Sequence, residues 1–96
     1  MRNRYIVSYD ISDQKRLRKV FKKMHAYGSP LHYSVFTCDL SKKERIMMIA
    51  ALTELINHKA DRIMIADLGP AEGKAKDAIE FLGMSTTLPE RKAIII

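Results

Sequence analysis

The chain has a single cysteine, Cys38, among its 96 residues. That excludes an internal disulfide and a cysteine-based zinc site, and it fits a reducing compartment. No stretch approaches the ~18 consecutive apolar residues of a membrane span. The amino terminus carries no apolar signal core, so neither membrane nor export is indicated and a cytoplasmic protein is expected. Internal repeats and low-complexity segments are missing too. Acid is scarce in the first half: of 17 Lys and Arg against 11 Asp and Glu, eleven bases but only four acids precede Ile46. The remainder is close to neutral. A basic surface concentrated in this way favours a polyanion such as nucleic acid, the bland alternative being a merely solvated face. The length predicts one domain, residues 1–96, with room for a two-layer core.

What is present is organised around the first apolar run. Tyr5, Ile6, Val7, Ser8 and Tyr9 read as a strand, and Asp10 falls at its carboxyl end. Ser12 is the expected N-cap of a helix running to about Tyr27 and Gly28, with Asp13 at its positive end. Leu17, Val20, Phe21 and Met24 give that helix one apolar stripe, and Lys15, Arg16, Arg18, Lys19, Lys22 and Lys23 fill the remaining arc. One carboxylate therefore lies beside a dense cluster of phosphate-binding side chains. Gly28, Ser29 and Pro30 turn the chain into a β-rich run over 31–40, with a kink expected near Tyr33 and Ser34.

Ser41 and Glu44 form a capping box that opens a second helix, with Met48, Ile49, Leu52, Leu55 and Ile56 as its core face. The apolar run 63–66 predicts a short strand buried on both faces, Gly69, Pro70 and Gly73 a loop, and 76–83 a final strand or one helical turn, the strand reading being favoured over 79–82. This order predicts an α+β sandwich of the ferredoxin-like kind, two helices on one face of an antiparallel sheet. Residues 84–96 form an extension ending in Ala93, Ile94, Ile95 and Ile96, which would be aggregation-prone in water. They are expected to add to a sheet edge, either that of a second subunit, as a dimer clasp, or the chain's own.

Tyr9 and Asp10, the basic helix after Ser12, the Ser34, Val35, Phe36 triplet, the Ser41 cap and the Asp67, Leu68, Gly69 step together resemble the CRISPR-associated protein 2 family. The resemblance runs from about Tyr5 to about Gly83. It implies a ferredoxin-like homodimer that joins the CRISPR-associated protein 1 integrase in acquiring spacer DNA. For many members it also implies metal-dependent endonuclease activity on RNA or double-stranded DNA. By position, Asp10 matches the family's metal-binding carboxylate, Tyr9 a residue often found beside it, Arg16 and Arg18 basic residues near the cleft, and Phe36 the motif's aromatic. Pro30 and His32 stand where members often carry arginine and glutamine, which removes a phosphate ligand.

The chemistry has its own logic. One carboxylate is too little for Mg²⁺ (or Mn²⁺), which wants near-octahedral oxygen ligation and keeps several waters. Two-fold symmetry supplies a second Asp10, and a metal between the pair relieves their repulsion. Such an ion polarises a phosphoryl oxygen and activates water, while Arg16 or Arg18 neutralises developing charge. Lys15, Lys19, Lys22 and Lys23 are the candidates for tracking a nucleic-acid backbone, DNA or RNA. The bland readings are that Asp10 caps a turn, Tyr9 packs and Phe36 is core; His25, His32 and His58 show no ligand spacing. Two functions stay open besides the enzyme: a non-catalytic adaptor bridging integrase subunits on DNA, and a toxin-like endoribonuclease.

Overall fold

The computed structural model describes residues 1–84. The tail beyond Met84, with its expected edge strand at 93–96, lies outside the described residues. The elements are β1 (Asn3–Asp10), α1 (Gln14–Met24), β2 (Ser29–His32), β3 (Val35–Leu40), α2 (Lys42–Leu55), β4 (Arg62–Pro70) and a short 3-10 turn at Lys74–Asp77. The strands form one antiparallel sheet in the order β2-β3-β1-β4. This is the ferredoxin-like arrangement predicted, including the kink that splits 31–40 into β2 and β3.

Alternation along β1 decides what each face does. Tyr5, Val7 and Tyr9 are buried, and the register with β3 aligns Val7 with Phe36 and Tyr5 with Cys38. Val20 and Met24 of α1 and Met48 and Leu52 of α2 complete this core. Phe36 is wholly buried, a burial contributing ~3 kcal/mol. The opposite face carries Ile6, Ser8 and Asp10 of β1, Val35 and Thr37 of β3, and Arg62, Met64 and Ala66 of β4, by the same alternation and register. Neither α1 nor α2 covers it; the short turn at Lys74–Asp77 packs on β4 and is tied to the buried Arg4 of β1, while Met64 is 57% exposed. No described helix is long and apolar enough to cross a membrane.

Four local expectations change. The N-cap of α1 is Asp13, whose carboxylate accepts from the Arg16 N–H at 3.0 Å; Ser12 is engaged elsewhere, by Asp61. The strand expected at 63–66 runs over nine residues and, among the described residues, sits at the sheet edge paired with β1; none of its residues is fully buried, so it is not covered on both faces. Gly69 and Pro70 belong to it: an edge tolerates the missing N–H of proline, and Gly69 takes φ 94° where the register with β1 shifts between Asn3 and Tyr5. Asp67 accepts from Gly69 N–H at 2.8 Å and steadies that bulge. Finally, 79–82 is not a strand. Ala75 is buried and its carbonyl accepts from Arg4 Nη1 at 3.4 Å, so the chain is tied across the face opposite the helices instead of running beside β4.

Gly28, in the turn from α1 to β2, marks a close approach. A Cβ there would collide with the Thr37 carbonyl and the Cys38 sulfur, one of them backbone that cannot swing away. Gly28→Ala is expected to lower stability by ~1–3 kcal/mol in urea unfolding; an unchanged midpoint would mean that β3 yields at no cost.

Candidate active site

Asp10 is the last residue of β1 and is exposed. It lines a cleft of about 400 Å³ with Tyr9, Leu17, Arg18, Phe21 and Tyr33. Neither the Asp10 carboxylate nor the Arg18 guanidinium makes a hydrogen bond or ion pair among the described residues. Five other acids are in use: Asp13 caps α1, Asp39 pairs with Arg4, Glu44 with Arg2, Asp61 with Arg16, and Asp67 holds Asn3 and Gly69. The carboxylates of Glu54, Glu72, Asp77 and Glu80 likewise make no hydrogen bond or ion pair among the described residues, but none of them lines this cleft. A turn cap would show its acceptor in use. Arg62 is the register partner of Asp10 on β4, so its side chain leaves the sheet on the same face.

Tyr9 is near the carboxylate in sequence but works from inside. It is 4% exposed, its ring lies 6.2 Å from that of Phe36, and its hydroxyl donates to the Tyr33 carbonyl at 3.1 Å. Burial pushes its pKa up to about 12. Tyr9 therefore stays a neutral donor at ordinary pH, pinning the turn that forms one wall of the cleft. Phe36 faces the core, as the bland reading has it. Cys38 is likewise buried, its thiol pushed up to about 12 by desolvation, so it is not a nucleophile.

The structure separates the two arginines. Arg18 lines the cleft, whereas Arg16 turns toward the segment before β4 and grips Asp61, Nε to Oδ2 at 2.8 Å and Nη2 to Oδ1 at 3.2 Å. The same carboxylate accepts from Ser12 N–H at 3.0 Å, Ser12 Oγ at 3.2 Å and Asn57 N–H at 2.8 Å. Its side chain is wholly shielded from solvent. Arg16 is thus a positioning residue that fixes the start of α1 behind Asp10. Sequence reasoning missed Asp61 and Arg62, because nothing local marks a partner 45 residues away. Lys15, Lys19, Lys22 and Lys23 are all exposed on α1, the last two in its final turn, where they also suit the negative end of the helix.

The Arg16 guanidinium holds the Asp61 carboxyl well below the usual carboxylate range, helped by the Asn57 and Ser12 N–H groups against a smaller desolvation cost. Arg2, with the Ser41 N–H, brings Glu44 down to about 2. Both groups bind protons more weakly folded than unfolded. Their contribution is complete above the unfolded range near pH ~4 and is lost as pH falls toward 2 and below. Asp61→Ala leaves Arg16 and three other donors without their acceptor, so its Tm is expected to fall by at least ~10 °C at pH 7, with a flatter acid limb. A Tm within about 2 °C of wild type would contradict the clamp.

Fold and site define a class: a ferredoxin-like α+β domain with an unengaged carboxylate at the mouth of its sheet and a basic helix alongside. The particular family follows from likeness to known proteins. The family model described as CRISPR associated protein Cas2 matches residues 2–74, and the chain belongs to that family. The protein named CRISPR-associated endoribonuclease Cas2 of Geobacter sulfurreducens is 44% identical over 96 residues, the full length of both chains. A CRISPR-associated endoribonuclease Cas2 of Rhodospirillum rubrum is 46% identical over 92 residues, covering 96% of this chain and 89% of its own. The crystal structure of Streptococcus pyogenes Cas2 superposes with TM-score 0.72 at 32% identity, covering 83% of this chain and 99% of that one. A hypothetical protein from Thermus thermophilus gives TM-score 0.77 at 25% identity, over 88% and 94%.

Proposed function

We propose that the chain is a metal-dependent endonuclease of the cytoplasm, acting as a homodimer on single-stranded RNA or duplex DNA, and that it works with the CRISPR-associated protein 1 integrase in acquiring spacers. The observation that carries this is the unengaged Asp10 carboxylate sharing a cleft with the unengaged Arg18. The relatives named endoribonuclease support cleavage of RNA in particular.

Among the described residues there is no group of three potential metal ligands, and the cleft draws one carboxylate, Asp10, from them. Two copies of Asp10 do fit Mg²⁺ or Mn²⁺, which take one or two carboxylates and fill the remaining positions with water and phosphate. This sheet face supports that pairing, because Ile6, Val35 and Met64 share it with Asp10 and neither α1 nor α2 packs over them. When bound, the ion supplies Lewis acidity and a water of lowered pKa. The chain's own residues do the rest. Arg18 takes the charge of the scissile phosphate, Tyr9 holds the cleft wall, and the Arg16–Asp61 clamp keeps α1 in register with β1. Tyr9 does not serve as a general base, since burial pushes its pKa up to about 12.

A labelled single-stranded RNA and a duplex DNA incubated with Mg²⁺, Mn²⁺ or EDTA test this directly: cutting is expected with metal and none with EDTA. Cutting in EDTA refutes the reading. An adaptor role, favoured by the exposed lysines of α1, none of which lines the cleft with Asp10, is the reading left if the protein binds nucleic acid yet cuts neither substrate.

A further inference from the structure

Tyr33 stands at the tip of the turn between β2 and β3 with 94% of its surface exposed. An aromatic ring left in water is unusual when its backbone is held firmly. Here the Tyr33 carbonyl accepts from Tyr9 Oη at 3.1 Å, and Tyr9 N–H donates to the Ser34 carbonyl at 3.0 Å. The ring is therefore carried on a fixed mount. On one side lies the cleft leading to Asp10 and Arg18; on the other is a shallower hollow of about 270 Å³ lined by Phe21, Pro30, Leu31 and His32. Tyr33 and Phe21 belong to both, forming an aromatic ridge between two concavities. Arg18 flanks the ridge on one side and His32 on the other.

We infer that Tyr33 is a stacking platform for an unpaired base, placed so that the phosphate next to that base reaches Arg18 and the bond to be cut reaches Asp10. This rests on the nucleic-acid reading above and deepens it to a preference for single-stranded substrate. Bases already stacked in a duplex cannot present a face to the ring, whereas every unpaired base has a free π face. Phe36, the aromatic to which the sequence motif draws attention, cannot do this. It is wholly buried, packed edge-on against Phe21 and His25 at 5.7 and 5.2 Å. An apolar protein partner is the less suited occupant, because the groups flanking the ridge, a guanidinium and an imidazole, suit phosphate.

The chain contains no tryptophan, so Tyr33→Trp places a unique indole at the platform. In EDTA, to prevent cutting, the full-length variant is titrated with oligouridylate and with a blunt duplex while anisotropy of a dye on the nucleic acid reports binding. Indole emission is expected to be quenched by the single strand and unchanged by the duplex. Tyr33→Ala is expected to lose about tenfold in single-strand affinity and less than about twofold for duplex. Bound single strand without quenching, or equal losses on both substrates, overturns the platform. So does an indole that shifts to the blue with protein concentration alone, because a second copy then covers it. If wild type cuts RNA with metal and these variants behave like it, the platform fails while the nuclease reading stands. If wild type binds no nucleic acid, both fail.

Discussion

Asp10→Ala is expected to reduce metal-dependent cleavage by more than ~100-fold while leaving folding and duplex binding near wild type. Loss of even an outer partner of a catalytic metal costs about 10–100-fold, and Asp10 is the one carboxylate among the described residues that lines the cleft. The fold should not register the change, because the carboxylate has no hydrogen bond or ion pair among the described residues. That is what separates it from Asp61→Ala, where lost activity and lost stability come together. Asp10→Asn keeps the shape and removes the charge, so it should fail in cleavage as well. Cleavage that survives in Asp10→Ala, purified alongside wild type, would move the chemistry elsewhere.

Charge reversal on α1 should do the opposite. Lys19, Lys22 and Lys23 are exposed, and each phosphate contact they make contributes ~0.9 to the slope of log K against log salt for a duplex. Changing all three to Glu is expected to weaken duplex binding by on the order of 100-fold at low salt and to flatten that slope by up to ~2.7. Thermal stability should fall only slightly: none of the three is paired with an acid among the described residues, and an unfavourable charge in the last turn of α1 costs ~0.3–1 kcal/mol at each of Lys22 and Lys23. Unchanged affinity and slope at every salt concentration would show that the basic helix is only a solvated face.

Local patterns carried most of the fold. The Ser41–Glu44 capping box is present with both of its hydrogen bonds, and the kink at Tyr33 and Ser34 divides β2 from β3 as their polarity and the flanking β-rich residues imply. Such features depend on neighbours within a few residues. What stayed hidden depends on distant ones. Nothing near Asp61 announces that it will gather Arg16, Ser12 and Asn57, and without that knowledge Ser12 looked like the cap and Arg16 like a phosphate ligand. Likewise 63–66 is apolar enough for a central strand, and only pairing shows it to be an edge. Asp10 and Arg18 were legible because both belong to a strand end and helix that are continuous in sequence; Arg62 and Tyr33 come to the site through the sheet and a turn.

The most direct test of a site shared between two copies is cleavage by mixed dimers, assembled from differently tagged wild-type and Asp10→Ala chains and purified through both tags. A shared site predicts that the mixed dimer falls nearly as low as the doubly mutated one, because each metal position has lost half of its carboxylates. Independent sites would instead leave the mixed dimer at about half of wild-type activity. That result, or full cleavage by a protein that remains monomeric at every concentration, would contradict catalysis at a paired Asp10.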